Sequence, residues 1–264
     1  MLNVYKRFWQ VNWAEQWQYR ANLLMYLAYW IVAPIVYLSV WMTVANLQGT
    51  VNGMTASDFA TYYLLGLLID LITSSITFHI FTYKIQDGSL SGELLRPSHP
   101  VLTNALINNI AFKTLMLIVF IPIWIVLLIL FQPTFAFTPL SVLLTIPALI
   151  MGFATSFLLE SGISLLAFWT TRAFGPMEIF WTAGTMLSGK LFPLTFLPLA
   201  VQSVAQFLPF QLWVWFPVQL LSNKLTTQEI IFSFTMELIW LVVLYVFFQA
   251  LWKRGVRKFS AVGA

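Results

Sequence analysis

The chain has no cysteine and only two histidines in 264 residues. Disulfide frameworks, thiolate metal sites and cysteine nucleophiles are therefore excluded, and a histidine-built metal cluster has too few ligands. Charge is scarce as well, at 8% of residues, where a soluble domain carries about 25%. What fills the space is apolar: 60% hydrophobic residues, with 12 Trp, 24 Phe and 9 Tyr, and a mean hydropathy of +0.84. One core of this size cannot hide that much apolar surface from water, so lipid is the solvent. The formal charge of +4 does not indicate nucleic acid, because the 13 basic residues are scattered and cling to the ends of hydrophobic runs.

A bilayer core of about 30 Å needs roughly 20 apolar residues as helix. Six runs qualify as spans: 22–46, 59–82, 110–131, 140–170, 177–188 and 230–251. The fourth has room to tilt or bend at Pro147, and the fifth is short. An apolar stretch, 191–221, follows it, broken by Pro193, Pro198, Pro209 and Pro217. The sixth opens on Thr226-Thr227-Gln228-Glu229, the spacing of a capping box. The expectation is one all-α polytopic domain over 1–264, without internal repeats.

Basic residues are retained on the cytoplasmic side of a membrane. With both termini inside, Lys6, Arg7, Arg20, Lys84, Arg96, Lys113, Arg172, Lys253, Arg254, Arg257 and Lys258 lie inside, leaving Lys190 and Lys224 outside. The expected location is the cell membrane, multi-pass, with cytoplasmic N- and C-termini. Ahead of the first span, Trp9, Trp13 and Trp17 fall on one helical face, opposite Lys6, Arg7 and Glu15. The segment 1–21 reads as a helix lying in the inner interface, since the first span is too long and aromatic for a cleaved signal peptide.

Three acids fall inside spans: Asp70, Glu160 and Glu237. Intramembrane carboxyls are expensive and mark pathways by default. Asp70 shares a face with Gly66, Thr73, Ser74 and Thr77, and Glu160 lies in an i+4 stripe with Gly152, Ser156 and Ser164. Stripes of this kind also serve close helix packing, so packing and a substrate or proton path both stay open. Glu237 lies near the outer end, within reach of the interface. Gly184 to Lys190 imitates the start of a phosphate-binding loop, but Leu191 stands where a hydroxyl is needed and no strand precedes it. The chain is thus expected to bind no cofactor and to hydrolyse no ATP itself.

The loop 83–100 between spans two and three is the most informative polar segment. It accommodates a short helix starting near Gly88 or Ser89 and ending before Pro97. Leu90, Leu94 and Leu95 give that helix an apolar side, while Asp87, Glu93 and Arg96 supply charge for a soluble partner.

Here the sequence resembles permease subunits of the type-2 ATP-binding-cassette exporter superfamily, in the group of six-span chains of this length without a fused ATPase. Asp87-Gly88-Ser-Leu90 followed by Glu93-Leu94-Leu95-Arg96-Pro97 matches that family's G-x-L…L-L-R-P pattern. Phe192-Pro193, Leu208-Pro209 and the closing Trp252-Lys253-Arg254-Gly255-Val-Arg257-Lys258-Phe259 match in character. The resemblance implies a dimer of permeases, identical or related, powered by a cytosolic ATPase dimer that holds ATP and magnesium. It implies that Asp87 to Pro97 is the ATPase-coupling helix, that 191–221 re-enters the outer leaflet as a gate, and that transport is export. An amphipathic or hydrophobic cargo is expected. The alternatives are an ion-coupled secondary transporter using Asp70 and Glu160, or a membrane scaffold or enzyme.

Overall fold

The computed structural model describes residues 2–170 and 174–259; Arg172, counted above among the inner charges, lies outside them. Every named element is helical. Helix α1 (Leu2–Gln18) leads through a break at Tyr19 into α2 (Arg20–Gln48). Next come α3 (Ala56–Thr73), α4 (Thr77–Gln86), the short α5 (Leu90–Leu94) and a π-helical turn (Pro100–Ala105) that runs into α6 (Leu106–Phe131). Helix α7 (Pro139–Ser164) ends in a 3₁₀ turn (Leu165–Phe168) and precedes α8 (Phe174–Leu187). A 3₁₀ turn (Leu194–Phe196), α9 (Leu199–Ala205), another 3₁₀ turn (Pro209–Leu212) and α10 (Trp215–Leu221) lead to α11 (Thr227–Lys258).

Among the described residues, five helical runs are long and apolar enough to cross a membrane. A sixth is reached only if a bent pair of helices further along is counted as one span. Helix α8 covers the short fifth run, but 14 residues span only about 21 Å. The chain beyond it bends by 75° between Leu199–Ala205 and Pro209–Leu221, the geometry of a re-entrant hairpin. Each proline there sits where its missing N–H costs nothing. Pro193 and Pro198 cap the helical pieces that follow them, Pro209 opens a 3₁₀ turn, and Pro217 lies in the first turn of α10.

Helix α7 is the hub, packed against α3, α4, α8, α10 and α11. Its stripe of Gly152, Ser156, Glu160 and Ser164 is wholly buried, which lets neighbouring helices approach closely. One core cluster joins α3, α6 and the segment around Leu212–Leu220; a second gathers Phe81, Ile85, Leu90, Val101, Phe157 and Phe248. Lipid-facing surface accounts for exposed apolar residues such as Tyr29 and Val36 on α2 and Ile129 on α6. Helix α1 lies against α6, where Asn108 Nδ2 donates to Asn12 Oδ1 at 2.7 Å, and its three tryptophans stack at about 6 Å. The capping box at Thr226 and Glu229 is formed, and Lys224 pairs with Asp58 at the start of α3 at 2.7 Å.

Candidate functional site

The polar loop is built in two layers. Asp87 closes α4, its N–H donating to the Tyr83 carbonyl, and its carboxylate accepts from the Ser89 N–H at 2.9 Å. That backbone hydrogen bond holds the exposed Asp87 carboxyl below the usual carboxylate range. Gly88 turns the chain at a φ of 81°, a left-handed conformation that costs a side-chain-bearing residue strain. Leu90 is then fully buried in the second core cluster, with Leu94 packed beside it. Glu93 is also turned inward: it pairs with Lys84 and accepts from Asn104 Nδ2 at 3.3 Å. The outer layer is Leu95, 89% exposed, with Arg96 and Pro97 exposed next to it. Of the residues expected to meet a partner, Leu90, Leu94 and Glu93 anchor the loop, while Asp87, Leu95, Arg96 and Pro97 face outward.

The return to the membrane is capped by His99. Its Nδ1 accepts from the N–H groups of Val101 and Leu102 at 3.2 Å, and its ring lies 4.5 Å from that of Trp252. Burial lowers its pKa, so the imidazole stays neutral and keeps the accepting lone pair. The only two histidines are thus spoken for structurally: His79 sits between Phe174 and Trp181. Among the described residues no group of acids and histidines could hold a metal ion.

Deeper in, the second span is interrupted at Ser74–Ile76, between α3 and α4. A broken helix in lipid must have its freed backbone groups satisfied by protein. Three side chains from α6 and α7 do this. Lys113 Nζ donates to the Leu71 carbonyl at 2.8 Å, Asn109 Oδ1 accepts from the Ile76 N–H at 3.0 Å, and Glu160 Oε1 accepts from the Phe78 N–H at 3.0 Å. The cation sits at the C-terminal end of α3 and the carboxylate at the N-terminus of α4, each on the favourable pole of a helix dipole. Glu160 is therefore a helix cap, and Lys113, read above as an inner-side charge, is an intramembrane one.

Asp70 has partners too. Its carboxylate pairs with Lys190 at 2.6 Å and accepts from Trp30 Nε1 at 2.7 Å. Lys190, expected in an outer loop, reaches α3 through this pair. Tyr62 lies about 9 Å along α3 from its start, and its hydroxyl donates to the Gly189 carbonyl at 2.7 Å. Tyr63 does the same for Leu191. Gly189 has a φ of 86°, and a Cβ there would lie 2.4 Å from the Tyr62 oxygen. The resemblance of Gly184 to Lys190 to a phosphate loop thus has another cause: Gly184 packs on Trp213, Gly189 turns the chain, and Lys190 neutralises Asp70. Glu237, expected near the interface, is instead completely buried.

Residues 31–263 match the family described as ABC-2 family transporter protein. The chain belongs to that family. It is a membrane permease of the ABC-2 superfamily, a transport subunit and not an enzyme, of a class that generally works with a cytosolic ATPase. No curated protein and no solved structure matches it. In this permease, sequence reasoning singled out the polar loop 83–100 and the three acids, but not the bonding roles of Lys113, Asn109, Lys190 and His99. The available signal was a lysine seven residues into an apolar helix, a position where an unpartnered ammonium is too costly to leave in lipid.

Proposed function

We propose that the permease pairs with a second copy or a related chain to line an export pathway for an amphipathic or hydrophobic cargo, driven by separate cytosolic ATPase subunits that bind ATP and magnesium. In this reading 1–264 is one transmembrane domain with both termini cytoplasmic, Asp87 to Pro97 is the coupling element, and 191–221 is the outer gate bearing Pro193, Pro198, Pro209 and Pro217.

The observation that carries it is the two-layered loop. A leucine left 89% exposed beside Arg96 and Pro97, on a turn whose inner side is locked by Leu90 and by Glu93, has the form of a knob on a rigid lever. A push on Leu95 is passed to α4 through the Glu93–Lys84 pair and to α6 through Asn104. The break at Ser74–Ile76 then lets α4 rotate against α3, a hinge of the kind that converts rigid-body motion into gating.

Helix α8 supports the dimeric pathway. Its exposed side carries Glu178, Thr182 and Thr185, and a membrane helix that uncovers a carboxylate faces protein or water in preference to lipid. The acids that the ion-coupled alternative needs are already engaged, Asp70 by Lys190 and Trp30, Glu160 by the Phe78 N–H.

The test is Leu95→Ser with Arg96→Glu, assayed for association with the cytosolic ATPase that co-purifies from the native membrane. Losing a buried leucine costs about 1.5–3 kcal/mol, so association is expected to weaken roughly tenfold to a hundredfold while the permease stays folded. Unchanged association and transport would remove the coupling role from the loop.

A further inference from the structure

Glu237 lies on α11, in the first half of a helix that packs against α7 and against the 3₁₀ turns Leu165–Phe168 and Pro209–Leu212. It is 0% exposed, and neither carboxyl oxygen has a hydrogen-bond partner among the described residues. It lies beside Gly152 of α7. A Cβ on that glycine would lie 3.2 Å from the Leu212 carbonyl oxygen, 3.3 Å from Thr73 Cγ2 and 3.8 Å from Glu237 Oε1. Helices α3, α7, α11 and the re-entrant segment therefore converge on one point, and the carboxyl group sits in it.

Among the described residues, the elements packed on α11 offer no counter-charge. Of the elements packed on α11, the two 3₁₀ turns carry no ionisable residue, and α7 carries only Glu160, which caps α4. Lys113 lies 4.9 Å from the ring centre of Phe153, next to Gly152, but its ammonium is bonded to the Leu71 carbonyl. On the converging elements, Thr73 Oγ1 donates to the carbonyls of Ile69 and Trp213, Trp213 Nε1 to Thr155, and Gln211 Nε2 to Gln206, while Ser233, one turn before Glu237, is buried with it. An ionised carboxylate without partner in such a place costs far more than taking up a proton.

We propose that Glu237 is a proton-binding site, a neutral carboxylic acid while the re-entrant segment is seated on Gly152 and a carboxylate once that segment lifts and water enters. The carboxyl O–H bond breaks on opening and the proton passes to the entering water, so each opening of the outer gate releases one proton per permease. This rests on reading 191–221 as the gate.

Two measurements test it. Infrared spectra of the full chain in lipid at neutral pH should contain a protonated-carboxyl carbonyl band that disappears in Glu237→Gln and in the apolar, similarly sized Glu237→Met. A band unchanged in both variants, or loss of carboxylate bands instead, would overturn the proposal, as would a stability that rises with sodium or potassium in the wild type alone. For the gate, the cysteine-free sequence makes Leu199→Cys, at an 82% exposed position of α9, a single-label reporter. Maleimide labelling of assembled complexes, taken as the ratio of wild type to Glu237→Gln, should rise with pH, by at most about tenfold per unit for one proton. A flat ratio while labelling still follows the nucleotide state of the ATPase overturns the proton link and leaves the gate standing. Labelling blind to nucleotide state overturns the gate, and this proposal with it.

Discussion

The permease interrupts its helices inside the membrane in two places, and it satisfies them by different chemistry. Between α3 and α4 the freed backbone groups are met by Lys113, Asn109 and Glu160, long polar side chains projected from two other helices. In the re-entrant segment they are met by the Tyr62 and Tyr63 hydroxyls, by prolines placed at helix starts and by 3₁₀ turns. A break held by charges from neighbours responds when those neighbours move, because the interaction depends on position and local dielectric. A break held by phenols and prolines is expected to be the stiffer of the two, since proline fixes its backbone φ. The first suits a hinge and the second a plug, and the Asp70–Lys190 pair ties one to the other.

That pair is where the largest effect is expected. Asp70→Asn leaves Lys190 without its counter-charge at membrane depth. The cost should be about 2–3 kcal/mol, less than for a fully desolvated pair because the Lys190 side chain is 31% exposed. Thermal unfolding in detergent would show it, and adding Lys190→Met should recover most of the loss; no recovery would mean that Asp70 matters for something other than this lysine. Lys113→Met comes next. It orphans the Leu71 carbonyl and should cost about 1–2 kcal/mol, with hydrogen exchange speeding up around Ser74–Ile76 and not around Gly189. Equal acceleration at both places would erase the distinction between hinge and plug. The smallest effect belongs to Tyr63→Phe, which removes one hydroxyl bond to Leu191 and should cost about 1 kcal/mol. If it loosens the chain around Leu191 more than Lys113→Met loosens Ser74–Ile76, the second break is the softer one.

Much of the architecture was legible in the chain. Helix order, the Thr226 capping box, the short helix in the polar loop 83–100 and the proline-broken stretch 191–221 all follow from local signals: apolar run length, cap spacing and turn residues. The roles inside the loop were less so. Leu90, Leu94 and Leu95 look equivalent as letters, yet one is buried, one half-buried and one bare, because the left-handed turn at Gly88 decides which side of α5 meets the bundle. The charge count leaves out the partners of Lys113 and Lys190 for a related reason. Counting assigns a lysine to the nearest loop, whereas both are drawn inward by acceptors that only the fold supplies, a helix-end carbonyl and an aspartate 120 positions away in sequence.

By itself the sequence determined the solvent: so much apolar surface and so little charge leave no stable state except helices in lipid, with backbone groups paired within each segment. It also marked some helix starts, since caps and prolines act within a turn or two: Thr226 opens α11. Tertiary structure alone decided which buried charges are neutralised by a partner, Asp70 by Lys190, and which are left to a proton, Glu237. Electrostatic pairing acts over a few ångströms of space and is indifferent to distance along the chain.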